Sequence, residues 1–137
     1  MRNVTVAIGT LAIAMLLSAC GAGASPSSAT NAFLQDFFNG NISAATSLTL
    51  HKSVSSQAAQ TTLTEAHGLA TLGASLDGVN LKSITWNIGC KDVTAQEAVC
   101  TASFSNSKGL APMKVHVVDV GGQYKLSLSD FETWVNE

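Results

Sequence analysis

No basic run and no alternation of basic with aromatic residues occurs in this sequence, so the electrostatic footprint of a nucleic-acid binder is missing. Charge is sparse altogether: 7 Lys or Arg and 9 Asp or Glu in 137 residues leave a net charge of −2, with the acidic residues scattered. There is no Gly-rich phosphate loop and no Gly-x-Ser-x-Gly elbow, which removes the sequence marks of nucleotide binding and of α/β-hydrolase chemistry. His51, His67 and His116 stand apart from one another, without Cys or carboxylate partners at metal-ligand spacing. Neither a metal site nor a cofactor is expected. The apolar stretch near the amino terminus, Val4 to Leu17, covers 14 residues and is interrupted by Thr5, Gly9 and Thr10. A helix crossing a bilayer needs roughly 20 residues, so this run is too short for a permanent span.

That run has a different use. Arg2 and the terminal amine form a small positive region before it, and Leu17, Ser18, Ala19 and Cys20 close it. A charged start, a short apolar stretch and a small-residue end describe a signal peptide. The final tetrapeptide resembles the lipobox of bacterial lipoproteins, which implies a diacylglycerol on the Cys20 sulfur, cleavage before Cys20 and often a further acyl chain, typically palmitate, on the new amine. Several chains are needed because one gives only marginal, reversible membrane binding. A competing site exists at Ala22, Gly23 and Ala24, where ordinary signal peptidase would release a soluble chain beginning at Ser25. With lipidation, the expected organisation is a signal peptide over 1–19, a lipidated cysteine and tether over 20–28, and one globular domain over 29–137. The expected location is the extracytoplasmic side of the cell membrane or outer membrane.

Gly21 to Ser28 is Gly, Ala, Ser and one Pro, a composition that buries no apolar surface and reads as a flexible tether with a typical span of about 16 Å. Export also bears on the two remaining thiols. Cys90 and Cys100 would lie where disulfides persist, and a bond between them is expected. Their spacing lacks the close Cys-x-x-Cys arrangement of redox-active pairs, so the bond is expected to be structural.

Phe33 with Phe37 and Leu34 with Phe38 recur at i, i+4 within Thr30 to Phe38, and Gly40 follows where a helix-ending glycine belongs. Asn41 can cap a second short helix through Ile42, Ala45 and Leu48. Ala59, Leu63, Ala66 and Ala70 form one helical stripe, with Thr62 and Glu65 as a capping box and an end expected between Ala66 and Leu72. After Gly78 the apolar period becomes two. Ile84, Trp86, Ile88 and Cys90 share one face of a strand; Cys100, Ala102 and Phe104 share one face of the next. Pairing Cys90 with Cys100 puts Ile88 opposite Ala102 and Trp86 opposite Phe104, so disulfide and apolar faces demand one register. A Gly121-Gly122 turn likewise pairs Val117 with Leu126 and Val115 with Leu128. Ser129 with Glu132 reads as a capping box opening a last helix with Phe131, Trp134 and Val135.

The expected fold class is therefore α+β, with N-terminal helices on one face of a curved four-stranded antiparallel meander and a short C-terminal helix. This order resembles the NTF2-like, or cystatin-like, superfamily over about residues 29 to 130. The resemblance implies an N-terminal helix lying in the concavity of the sheet. Some enzymes of that superfamily move a proton α to a carbonyl, and Asp119 beside Tyr124 at the hairpin mouth would be the catalytic candidates here, with Asp36 as the only other acid near that face. The alternative for the pair is a hairpin end where the carboxylate meets water or the phenol. A membrane-anchored, non-enzymatic binding or interaction domain is the leading expectation, with an envelope protein or a second copy as partner. The outer-face strip of His116, Val118 and Val120 is one surface for such a contact. A small enzyme or hydrophobic-ligand carrier using a helix-sheet cavity is the alternative.

Overall fold

The computed structural model describes residues 23–51, 54–106 and 110–136. Cys20, with the lipobox and signal peptide expected around it, lies outside the described residues. Among those described, no helix is long and apolar enough to cross a membrane.

Helix α1 (Pro26–Asn39) starts where Ser25 accepts a hydrogen bond from the Ser28 N–H and Pro26 occupies the first turn. It ends at Gly40, whose φ of 82° is left-handed, and the Asn41 N–H then reaches back to the Asp36 carbonyl at 2.8 Å. The tether expectation therefore gives way over Gly23 to Ser28. Gly23 is buried and its carbonyl accepts the Tyr124 N–H at 2.9 Å, while Pro26 to Ser28 are helical. The missing signal was the Ser25-Pro26 cap, which outweighs the small-residue composition.

Helix α2 (Ile42–Ser47) follows at once, and then β1 (Thr49–Leu50). Helix α3 (Ser56–Asp77) is longer than its sequence announces. Ser55 caps it, so Thr62 and Glu65 do not form a capping box; Thr62 Oγ1 instead donates to the Ala58 carbonyl. The helix runs through Gly68 and Gly73 and stops at Gly78, which takes φ 71°. A helical glycine weakens a helix by about 1 kcal/mol relative to Ala without breaking it, whereas the left-handed Gly78 does end it.

A 3₁₀ turn (Leu81–Ser83) leads into β2 (Thr85–Thr94), β3 (Glu97–Ser105), β4 (Met113–Val120) and β5 (Gln123–Ser127), then α4 (Leu128–Val135). The antiparallel meander has the expected register: Cys90 faces Cys100, Ile88 faces Ala102, Trp86 faces Phe104 and Val117 faces Leu126. The sheet is nevertheless five-stranded and mixed, in the order β1-β5-β4-β3-β2, because β1 pairs parallel to β5. Two residues are too few to show a period, and what recruits them is the open edge of β5. The expected pair of Val115 with Leu128 does not form. Strand β5 stops at Ser127, whose hydroxyl caps α4 by accepting the Asp130 N–H, so the cap lies two residues before the expected Ser129. Beyond that point α4 takes the place of the strand: the His116 N–H, left without a β5 partner, donates to the Asp130 carboxylate at 2.8 Å.

The core lies between α1 and the inner sheet face. Phe33, Leu34 and Phe37 are fully buried against Val115, Val117 and Leu126, and Phe131 from α4 packs edge-on to Phe33 and Phe37 at 5.0 and 4.9 Å.

Candidate functional site

The core-facing stripe of α3 changes character along its length. Ala59, Leu63 and Ala66 are buried, but the same face continues as Ala70, Gly73, Ala74 and Asp77. These small residues do not reach the opposite wall, made of Phe37, Phe38, Ile84, Trp134 and Val135. The result is an apolar groove of about 320 Å³, lined also by Val79, Leu81 and Leu110. That volume is at the lower end of the range usual for small-molecule sites, about 300 to 1,000 Å³. Trp134 is held in place by its indole N–H, which donates to the Ala111 carbonyl at 2.8 Å, and by stacking on Phe104. Trp86 is held by donation to Asn31 Oδ1.

Beside the groove α3 presents a second apolar stripe. Leu69, Leu72 and Leu76 are 64%, 58% and 80% exposed. At 100° per residue they share one face, turned roughly a third of a circle from the core stripe. Large apolar side chains clustered in this way mark contact surfaces, unlike single exposed residues. The sequence does not announce this face, because Gly68 and Gly73 predict a helix end between Ala66 and Leu72 and the Ala-rich stripe is the one its period shows.

The expected site residues separate. Asp119 and Tyr124 do face each other across β4 and β5, but Asp119 Oδ1 accepts the Gly122 N–H at 2.9 Å and closes the turn. Neither the groove nor the second hollow around Asn31, Gln35 and Lys82 is lined by this pair. Asp36 is half-buried, and burial raises its pKa above the usual carboxylate value against the lowering effect of a hydrogen bond from Asn41. Cys90 and Cys100 are joined by a disulfide. His51 Nδ1 donates to the Val54 carbonyl; His67 packs edge-on to Phe37 with a buried, unpartnered Nδ1; His116 sits between Asp130 at 2.8 Å and Glu97 at 3.7 Å. Among the described residues no group of three or more His, Cys, Asp or Glu is arranged to hold a metal ion.

Compared with protein-family models, with curated proteins and with solved structures, the chain matches none.

Proposed function

We propose that this protein is a bacterial lipoprotein, anchored through Cys20 on the extracytoplasmic side of a membrane, that works as a non-enzymatic binding module. The observation that carries the binding role is the α3 face of Leu69, Leu72 and Leu76 beside the apolar groove. An envelope protein offering an apolar helix or strand is the partner this surface fits. The groove also favours a second reading, in which it carries a small apolar ligand, because Phe38 and Trp134 wall a space that no side chain of the described residues fills. The helices preceding a meander, with α1 lying across the sheet, support an NTF2-like assignment; α4 and the parallel β1 are departures from it.

Cleavage before Cys20 is supported over release at Ser25 by the fold itself. The Gly23 carbonyl bonds β5, and a cut after Ala24 would remove that contact while a cut before Cys20 keeps it. Neither the groove nor the hollow among the described residues is lined by the Asp119–Tyr124 pair, and the Asp119 carboxylate is engaged by the Gly122 N–H, which weighs against proton-transfer chemistry there.

Two measurements test the proposal. Intact mass of the mature protein is expected to give a chain beginning at Cys20 with added lipid; a product beginning at Ser25 without lipid overturns the anchor. Cross-linked partners recovered from solubilised membranes are expected to be lost with the Leu72→Glu, Leu76→Glu double variant and retained with Asp119→Asn. The reverse pattern overturns the binding surface.

A further inference from the structure

We propose that the end of the domain formed by its two hairpin turns is the surface that meets the membrane, with Val93 and Val120 set against the lipid. This rests on lipidation of Cys20 and goes beyond it, since an anchor alone leaves orientation open.

The orientation follows from where the chain enters the fold. In a four-strand meander the β2–β3 turn at Ala95-Gln96 and the β4–β5 turn at Gly121-Gly122 lie at one end, and the β3–β4 connection lies at the other. The Asp119 N–H donates to the Gln96 carbonyl at 2.7 Å, so the two turns are joined side by side. Gly23 docks at this same end, through Tyr124, the second residue of β5. Cys20 is three residues upstream of Gly23 in sequence, and three residues span at most about 10 Å. The lipid-bearing sulfur therefore cannot stand far from the hairpin end.

Two valines are exposed at that end. The register of β2 and β3 shifts between Asp92 and Thr94, which leaves Val93 as an unpaired bulge residue, 57% exposed. Val120, beside the Gly-Gly turn, is 42% exposed. Around them Lys91, Asp92, Glu97, Asp119 and Lys125 carry both signs of charge, so contact there needs no anionic lipid.

The groove then lies away from the membrane. Ile84, Leu81, Leu110 and Ala111 place the groove where β2 and β4 begin, at the far end of the sheet. Eight residues of β4 separate the two ends by about 26 Å at roughly 3.3 Å per residue. The opposite orientation would lift Gly23 by that distance, beyond the reach of three residues.

The test uses the full-length lipidated protein in phosphatidylcholine vesicles, with and without acyl-chain-brominated phosphatidylcholine. Trp86 and Trp134 lie at the groove end and serve as internal reporters of that end. Bromine should leave wild-type emission unchanged and should quench the added emission in Val93→Trp and Val120→Trp, at low and high salt alike. Quenching of the wild-type tryptophans, or none in either variant, overturns the orientation. Intact mass on the same samples separates the two ideas: lipidated protein without quenching sinks this surface alone, whereas unlipidated protein that stays off the vesicles sinks the anchor and the surface with it.

Discussion

Reducing the Cys90–Cys100 disulfide should lower stability by an amount that the hairpin itself sets. The cysteines are 10 positions apart and enclose the end of β2, the start of β3 and the turn between them. For a loop of about 11 residues the chain-entropy relation gives about 2.8 kcal/mol at 25 °C, as lost freedom of the unfolded chain. With an unfolding entropy of roughly 2.1 cal/mol/K per residue, a domain of about 110 residues loses about 12 °C in Tm for that change. Reduction by a phosphine is a cleaner perturbation than substitution, because Cys100 is fully buried and its thiol still fills the core. Cys90 is exposed, so Cys90→Ala should reproduce the reduced protein within a degree or two. Thermal unfolding followed by circular dichroism, with and without reductant, reads the difference directly. A fall of under about 4 °C, equivalent to about 1 kcal/mol, would refute the staple: it would mean the reduced chain already holds this hairpin when unfolded.

Three further outcomes follow from named contacts. Phe131→Ala removes the ring packed edge-on to Phe33 and Phe37 and should cost about 3 to 5 kcal/mol in urea unfolding; a loss under about 1.5 would mean that α4 is not part of the core. Gly68→Ala should stabilise by about 0.4 to 1 kcal/mol, because it sits inside α3 and an added Cβ meets nothing within 4 Å; destabilisation would refute continuous helix at that point. Asp36 has its folded pKa raised by burial, so the folded state keeps a proton that the unfolded chain has already released. Stability from this group therefore rises as pH falls through the raised value and levels off below the unfolded one. Asp36→Asn should be at least as stable as wild type at pH 7, with the difference closing in acid; a variant less stable at pH 7 with an unchanged acid profile would contradict that sign.

What could be read along the chain was whatever short-range pattern dictates. Phe33, Leu34, Phe37 and Phe38 at helical spacing, followed by Gly40, are enough to place α1 and its end. The coincidence of Cys90 and Cys100 with two apolar faces is enough to set the β2–β3 register, since a slip of one residue would turn every side chain over. The signs that failed were also local. Thr62 with Glu65 and Ser129 with Glu132 have capping spacing, but Ser55 and Ser127 do the capping because that is where neighbouring segments leave the chain extended.

Tertiary structure decided the rest. The two residues of β1 become a strand only because β5 offers an open edge, and His116 meets Asp130 only because α4 replaces β5 beside β4. The groove depends on the distance between α3 and Trp134, to which Ala70 and Gly73 do not reach; no period encodes that distance. Asp119 and Tyr124 stand opposite each other, as the Gly121-Gly122 turn predicts, yet whether they share a cavity is a matter of what packs above them. Sequence alone determines the address expected from Cys20 and the register of the hairpins, because both are written in residues close along the chain. The surfaces through which the domain would act are made by residues brought together from distant elements, and only their packing reveals them.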